Sequence, residues 1–234
     1  MILKSFGCSF IFGSDLADAI PIPVPNEVPV ASQQTWPAVL AKNLNYQYEC
    51  FARPGSGNLQ ILEKVLNQAS LSDGSELFVI GWTWIDRFDY YSANYSGIIW
   101  QDWSTILPVD STEIAKVYYR DLHSEYQDKL TCLSYIKLAI DTLNQKNIPF
   151  VMTCLDELLF DQQWHATPAV TDLQEYIRPY IVTFEGKTFL NWSRANGYPI
   201  STALHPLEAA HLAAGEYMIK VFDKQNIIDR KHPF

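Results

Sequence analysis

The chain has 234 residues, 48% of them apolar and 18% charged, and carries a formal net charge of −9. That length is enough to bury a substantial core and fits a single domain over 1–234. The acidity argues against nucleic acid and anionic membrane surfaces as partners, and suits neutral substrates such as glycans or simple esters.

The four cysteines, Cys8, Cys50, Cys132 and Cys154, are far apart and form no CxxC pair. Neither a zinc site nor a disulfide framework is expected, and buried reduced thiols are. No apolar run approaches the ~18 residues of a membrane span, and no leader pattern precedes Met1-Ile2-Leu3-Lys4. Cytoplasmic residence is the expectation, with assembly into a larger particle as the alternative.

Residues 2–6 read as a first strand that ends in the small-residue turn Gly7-Cys8-Ser9. In an open α/β sheet, ligands bind beyond the carboxyl ends of the strands. Ser9 is therefore placed either as a nucleophile or as an ordinary turn serine. Residues 19–29 alternate proline with apolar residues, which fixes φ and removes donors. They read as an extended loop, folded over the Ser9 site or looping out as a plain surface excursion. Residues 34–44 read as a helix and 46–51 as a strand. A second turn of small residues follows, Gly55-Ser56-Gly57-Asn58, and then an amphipathic helix over 59–69. Residues 76–81 are almost wholly apolar, as a buried parallel strand requires.

Beyond that strand, about 84–110 is irregular and rich in aromatics, including Trp84, Tyr90, Tyr91, Tyr95, Trp100 and Trp103. It reads as an insertion over the strand ends, serving either as core and lid packing or as a sugar-stacking surface. Residues 114–145 read as a helix broken near Lys129, and 148–155 as a fourth strand. A short helix is expected over 173–180, and a helix or a loop with a short strand over 184–192. Ser201-Thr202-Ala203-Leu204-His205-Pro206 leads into a last helix over 207–222. Strands alternating with helices predict a three-layer α/β/α fold on a mainly parallel, flavodoxin-like sheet.

Serine hydrolysis needs a hydroxyl, an imidazole to take its proton, and donors for the oxyanion. Right-handed crossovers bring the ends of the first three strands to one edge. That places Ser9, Gly55, Asn58 and Thr83 within reach of one another, with His205 at the start of the last helix. Each also has a plainer reading: Gly55 as turn geometry, Asn58 as an N-cap, His205 as a helix-entry residue. His211 lies mid-helix and reads as a packing residue. Arg87 reads as a partner of Asp86 or Asp89, or as a ligand for a carboxylate or sugar. His123 and His165 have no partner at metal-ligand spacing and read as surface residues. Gly55-x-Gly57 lacks the third glycine of a dinucleotide fingerprint.

Four short blocks, spread over nearly the whole chain, resemble those of the SGNH (GDSL-like) hydrolase family. Gly7-Cys8-Ser9 stands in the place of the Gly-Asp-Ser block. Gly55-Ser56-Gly57-Asn58 is similar to the second block, whose glycine amide donates to the oxyanion. Gly81-Trp82-Thr83-Trp84 sits where the family has Gly-x-Asn-Asp. His205-Pro206 is similar to the histidine end of the Asp-x-x-His block. The resemblance implies a serine esterase that needs no metal or cofactor and acts on a small ester, such as an O-acetyl group on a glycan. It implies Ser9 as nucleophile, His205 as base, and an oxyanion hole built from Ser9, Gly55 and either Asn58 or Thr83.

The departures are specific. Cys8 replaces the aspartate before the serine, and Thr83 replaces the third block's asparagine. Thr202 stands three residues before His205, where the triad acid belongs, and a threonine cannot stabilise imidazolium with a charge. Three outcomes follow: a Ser–His dyad, an acid from elsewhere in the chain, or a site that no longer turns over. Glu208 is close to His205, in a first helical turn where it would also complement the helix dipole. The rival to an esterase is a silent glycan-binding or virion structural module. The Phe-Gly-Cys-Ser-Phe opening also resembles compact SGNH-like proteins encoded by bacteriophages.

Overall fold

A computed structural model describes residues 1–20, 29–91 and 103–225. Its centre is a parallel four-stranded sheet in the order β2-β1-β3-β6. The strands are β1 (Ile2–Phe6), β2 (Gln47–Cys50), β3 (Glu76–Trp82) and β6 (Phe150–Cys154). β3 is buried along its whole length, which is why its sequence is apolar without alternation. Its side chains still divide by the period of two. Leu77 and Val79 enter one core, and Phe78, Ile80 and Trp82 enter the other.

The first core is covered by α1 (Ser9–Phe12), α2 (Trp36–Asn43), α7 (Phe189–Ala195) and α8 (Glu208–Gln225). The second is covered by α3 (Asn58–Leu71), α5 (Glu125–Gln145) and α6 (Pro168–Ile177). Two faces, each with its own helical layer, give the three-layer α/β/α architecture. A parallel bridge between Met152 and Ile181 extends the sheet by one residue pair beyond β6. Among the described residues no helix is long and apolar enough to cross a membrane, and all four cysteines are free.

Several elements differ from the sequence expectation. The aromatic insertion is not wholly irregular: β4 (Phe88–Tyr91) and β5 (Trp103–Ile106) pair antiparallel as a small separate sheet. Tyr95 and Trp100 lie outside the described residues, as do Pro21, Pro23 and Pro25 of the 19–29 loop, whose flanks pair at Ile20 and Val30. The helix expected over 114–145 breaks at His123 and Ser124, not at Lys129. A short helix α4 (Glu113–Val117) passes into one π-helical turn, and Ser124 then caps α5 by accepting from the Gln127 N–H at 3.3 Å. Lys129 stays inside α5 because its buried ammonium has acceptors. It donates to the Asp161 carbonyl at 2.7 Å and to the Trp164 carbonyl. α6 begins five residues earlier than expected, at Pro168, since Thr167 caps it and proline is suited to the first helical turn.

Candidate active site

The Gly7-Cys8-Ser9 turn is fixed by a close approach of the Ile11 side chain to two strand ends. After β1 the chain enters α1 at once, and Ile11 of that helix lies across the ends of β1 and β3. A Cβ on Gly7 would come within 2.5 Å of Ile11 Cγ1, and one on Gly81 within 2.7 Å. Only glycine at both strand ends lets α1 settle there. Gly13 then caps α1 at φ 80°, a left-handed conformation that costs glycine little. The turn sends residues 14–17 back toward the start of α8.

That return delivers the residue the spacing rule missed. Ser9 is 8% exposed, and its Oγ lies 2.8 Å from His205 Nε2. His205 Nδ1 lies 2.8 Å from Asp15 Oδ2. An ionised carboxylate only accepts, so Nδ1 carries the proton and Nε2 presents its lone pair to the Ser9 hydroxyl. The carboxylate that meets His205 therefore comes from elsewhere in the chain, six residues beyond Ser9. Thr202 is exposed on the turn before His205, and Asp15 occupies the place it was expected to support.

Ser201 closes the constellation. Its hydroxyl donates to Asp15 Oδ2, and its Oγ accepts from the His205 N–H at 3.1 Å. Acid, imidazole and backbone are thus held in one ring of hydrogen bonds. Burial raises the Asp15 pKa, but the hydrogen bonds from Ser201 and His205 and the charge of the imidazole outweigh it, so the carboxyl ends below its ordinary value. Glu208 supports the same loop from below, accepting from the Ala17 N–H at 3.1 Å. It holds the loop that carries Asp15 through the Ala17 backbone. Phe10 packs its ring edge-on to His205 at 5.0 Å, and Trp84 packs against Phe10 at 5.4 Å.

The second turn lies beside the first, with the Arg53 N–H donating to the Gly7 carbonyl at 3.0 Å. Gly55 sits at its apex at φ 81°. Among the described residues neither the Ser9 nor the Gly55 N–H donates to a backbone carbonyl. Asn58 departs from the donor role expected of it. Its Oδ1 accepts from the Thr83 N–H at 2.9 Å, and its Nδ2 faces the Thr83 and Trp84 carbonyls and Cys132 Sγ at 3.2, 3.4 and 3.3 Å. That amide pins the end of β3 to α3 and has no hydrogen left for a ligand. Thr83 is fully buried, and its Oγ1 has no hydrogen-bond partner among the described residues.

Arg87 braces the second turn. It donates to the Ser56 carbonyl at 3.0 Å and lies 4.8 Å over the Trp84 ring, and among the described residues it forms no salt bridge with Asp86 or Asp89. His123 is half-buried with its Nε2 2.9 Å from Asp128 Oδ2, so it is not a free surface residue. His165 meets Glu125 at 3.1 Å. His211 is 1% exposed and accepts from the Trp36 N–H at 3.0 Å, a structural role. Among the described residues no group of three or more His, Cys, Asp or Glu is placed to hold a metal ion. Under α1 a cavity of about 10 Å³, lined in part by Cys8, Phe10 and Ile11, is at the lower limit for one water molecule.

No protein-family model and no curated protein matches the sequence. Solved structures do. A member of the lipolytic G-D-S-L family from Veillonella parvula superposes with a TM-score of 0.52 at 13% identity, covering 96% of this chain and 99% of that one. The psychrotrophic esterase EstA of Pseudoalteromonas sp. gives 0.52 at 9% identity over 95% and 97%. The acetyl xylan esterase Est2A of Butyrivibrio proteoclasticus gives 0.51 at 14% identity over 97% of this chain and 64% of its own. The fold is that of the SGNH, or G-D-S-L, hydrolases.

Proposed function

We propose that the protein is a serine esterase acting on small esters, O-acetyl groups on glycans among them, through a Ser9–His205–Asp15 triad. The observation that carries this reading is the unbroken relay from Ser9 Oγ to His205 Nε2 and from Nδ1 to Asp15, both links at 2.8 Å. The alternative of a module with little or no catalysis draws on the missing acid at Thr202, the missing third-block asparagine and the aromatic insertion, and the contact of Asp15 with His205 favours the esterase on the first of these.

In the forward step Ser9 Oγ attacks the ester carbonyl as its proton passes to His205 Nε2. Asp15 stabilises the imidazolium without taking the proton. The Ser9 and Gly55 N–H groups point the oxyanion hole, and collapse of the tetrahedral intermediate releases the alcohol, protonated from Nε2. Water, deprotonated by the same nitrogen, then frees the acid and restores Ser9. The half-buried Trp84 packs on Phe10, which packs on His205, and so is the aromatic side chain that a sugar beside the ester would meet.

The reading is tested with the wild-type protein. A fluorophosphonate is expected to form one adduct, located at Ser9 by peptide mass spectrometry, and to abolish hydrolysis of p-nitrophenyl acetate. Folded protein that takes up no probe and hydrolyses no short-chain ester would overturn it.

We assign the third oxyanion donor to Thr83. A buried hydroxyl without a partner is costly to keep, and a transition-state oxygen would give it one. Thr83→Val is then expected to lower kcat about tenfold while the melting temperature holds or rises, since an unsatisfied buried hydroxyl is removed. An unchanged kcat would return Thr83 to a packing role.

A further inference from the structure

The second turn owes its shape to the inserted hairpin, and Asp89 is the centre of that dependence. Asp89 is on β4, outside the four motif blocks, and is 7% exposed. Its carboxylate accepts four hydrogen bonds: from the Gly57 N–H at 2.9 Å, the Gln60 N–H at 3.0 Å, Gln60 Nε2 at 2.8 Å and Thr105 Oγ1 at 2.7 Å. Two of these donors are N–H groups at the start of α3, which lack acceptors inside the helix. The carboxylate also stands at the positive end of the helix dipole.

Two more contacts bind the same turn to the same hairpin. Arg53 Nη1 donates to the Trp103 carbonyl of β5 at 2.9 Å and to Gln60 Oε1 at 3.0 Å. Arg87, next to β4, donates to the Ser56 carbonyl. The fit is tight enough to dictate residue type, because a Cβ on Gly57 would come within 2.5 Å of Asp89 Oδ2.

We infer that Asp89 is a positioning residue for the oxyanion turn, and that the β4–β5 hairpin is thereby part of the catalytic machinery. The inference rests on the reading of Ser9 as an esterase nucleophile. Asp89 touches no reacting atom. It acts by holding Gly57 and the start of α3, and so the N–H of Gly55 two residues away. Misplacement of a catalytic group by about 1 Å costs on the order of 10²-fold in rate.

The test separates positioning from stability by counting active sites. Asp89→Asn keeps the shape but turns an amide NH₂ toward donors. Its kcat, expressed per site titrated with phosphonate, is expected to fall roughly 10–100-fold with KM within about threefold. Amide exchange at residues 55–58 is expected to quicken. A purely structural Asp89 would lower the melting temperature and the fraction of titratable sites while kcat per site stayed within twofold of wild type, and that result would overturn the inference. Should Asp89→Asn not fold, Gly57→Ala displaces the carboxylate from the opposite side and is expected to give the same loss per site. Failure of the esterase reading looks different, because wild-type protein would then take no phosphonate at all, and the inference would fall with it.

Discussion

Asp15→Asn is expected to lower kcat on a short-chain ester by roughly 10³–10⁴-fold while KM changes little; the same replacement in a Ser-His-Asp protease costs about 10⁴. The reason lies in the proton on the imidazole. Asp15 can only accept, so Nδ1–H is fixed and Nε2 is free to take the Ser9 proton. Asparagine in the same place can present its NH₂ to Nδ1. That favours the tautomer with hydrogen on Nε2, where it faces Ser9 and cannot act as a base. The imidazolium formed during attack also loses its counter-charge. Thr202→Val, by contrast, is expected to leave kcat within about twofold, since the exposed Thr202 stands off the relay. Steady-state kinetics of the two variants check both statements. A loss of less than tenfold in Asp15→Asn would mean that Ser9 and His205 work as a dyad.

The contrast between Thr202 and Asp15 shows how far the sequence could be read. The meeting of Ser9 with His205 was legible because each sits where a strand or helix ends, and such positions announce themselves through glycine, proline and a change of hydrophobic period. The acid was not legible from spacing. A triad requires only that a carboxylate reach Nδ1, and nothing requires it to arrive on the same segment as the histidine. Here it arrives on the nucleophile's own loop, because Gly13 at φ 80° turns the chain and Ala17 is held by Glu208. The signal was present in Gly13-Ser14-Asp15, but only the fold places that loop against the start of α8.

Asn58 and Asp89 failed to be read for a related reason. A side-chain amide just before a helix fits a cap or a ligand donor equally well in sequence. Its actual partners, the Thr83 and Trp84 backbone and Cys132, come from 25 to 74 residues away. Asp89 lies in an aromatic stretch whose alternation is too short to show a hairpin. The break expected near Lys129 does not occur because the two carbonyls that accept its protons lie 32 and 35 residues downstream, beyond the reach of a local reading. The layers follow from local pattern. Long-range polar pairing does not.

The second large effect concerns stability against acid, and it comes from His211. This residue is 1% exposed, one turn into α8, and joins two elements. Its Nδ1 accepts from the Trp36 N–H in the first turn of α2. It is also hydrogen-bonded to the backbone of Pro206, which has no N–H and so must accept, leaving Nε2 as the donor. The imidazole therefore fixes the residue that follows His205 to the start of α2, and it does so only when neutral. Burial, then the neighbouring charge of His205, push its pKa down to about 3, the Pro206 hydrogen bond offsetting only part of this. Unfolded, the group titrates near 6.5. Between those values the unfolded chain binds a proton that the folded chain does not. Stability is then whole above about pH 6.5 and falls by about 1.4 kcal/mol for each unit of acidification below it. From pH 6.5 to 5 that is about 2 kcal/mol, a large share of a domain's ~5–15 kcal/mol. The depressed carboxyls Asp15, Asp73, Glu76, Asp121, Asp141 and Asp161 have ordinary values of 3.8 to 4.5 and act mainly below pH 5. His211→Leu is expected to be about 1–3 kcal/mol less stable at pH 7.5, because the buried Trp36 N–H loses its acceptor. The variant should nevertheless lose less stability than wild type between pH 6.5 and 5, as urea midpoints at four or five pH values would show. Parallel curves for the two proteins would mean that His211 does not stay neutral in the fold.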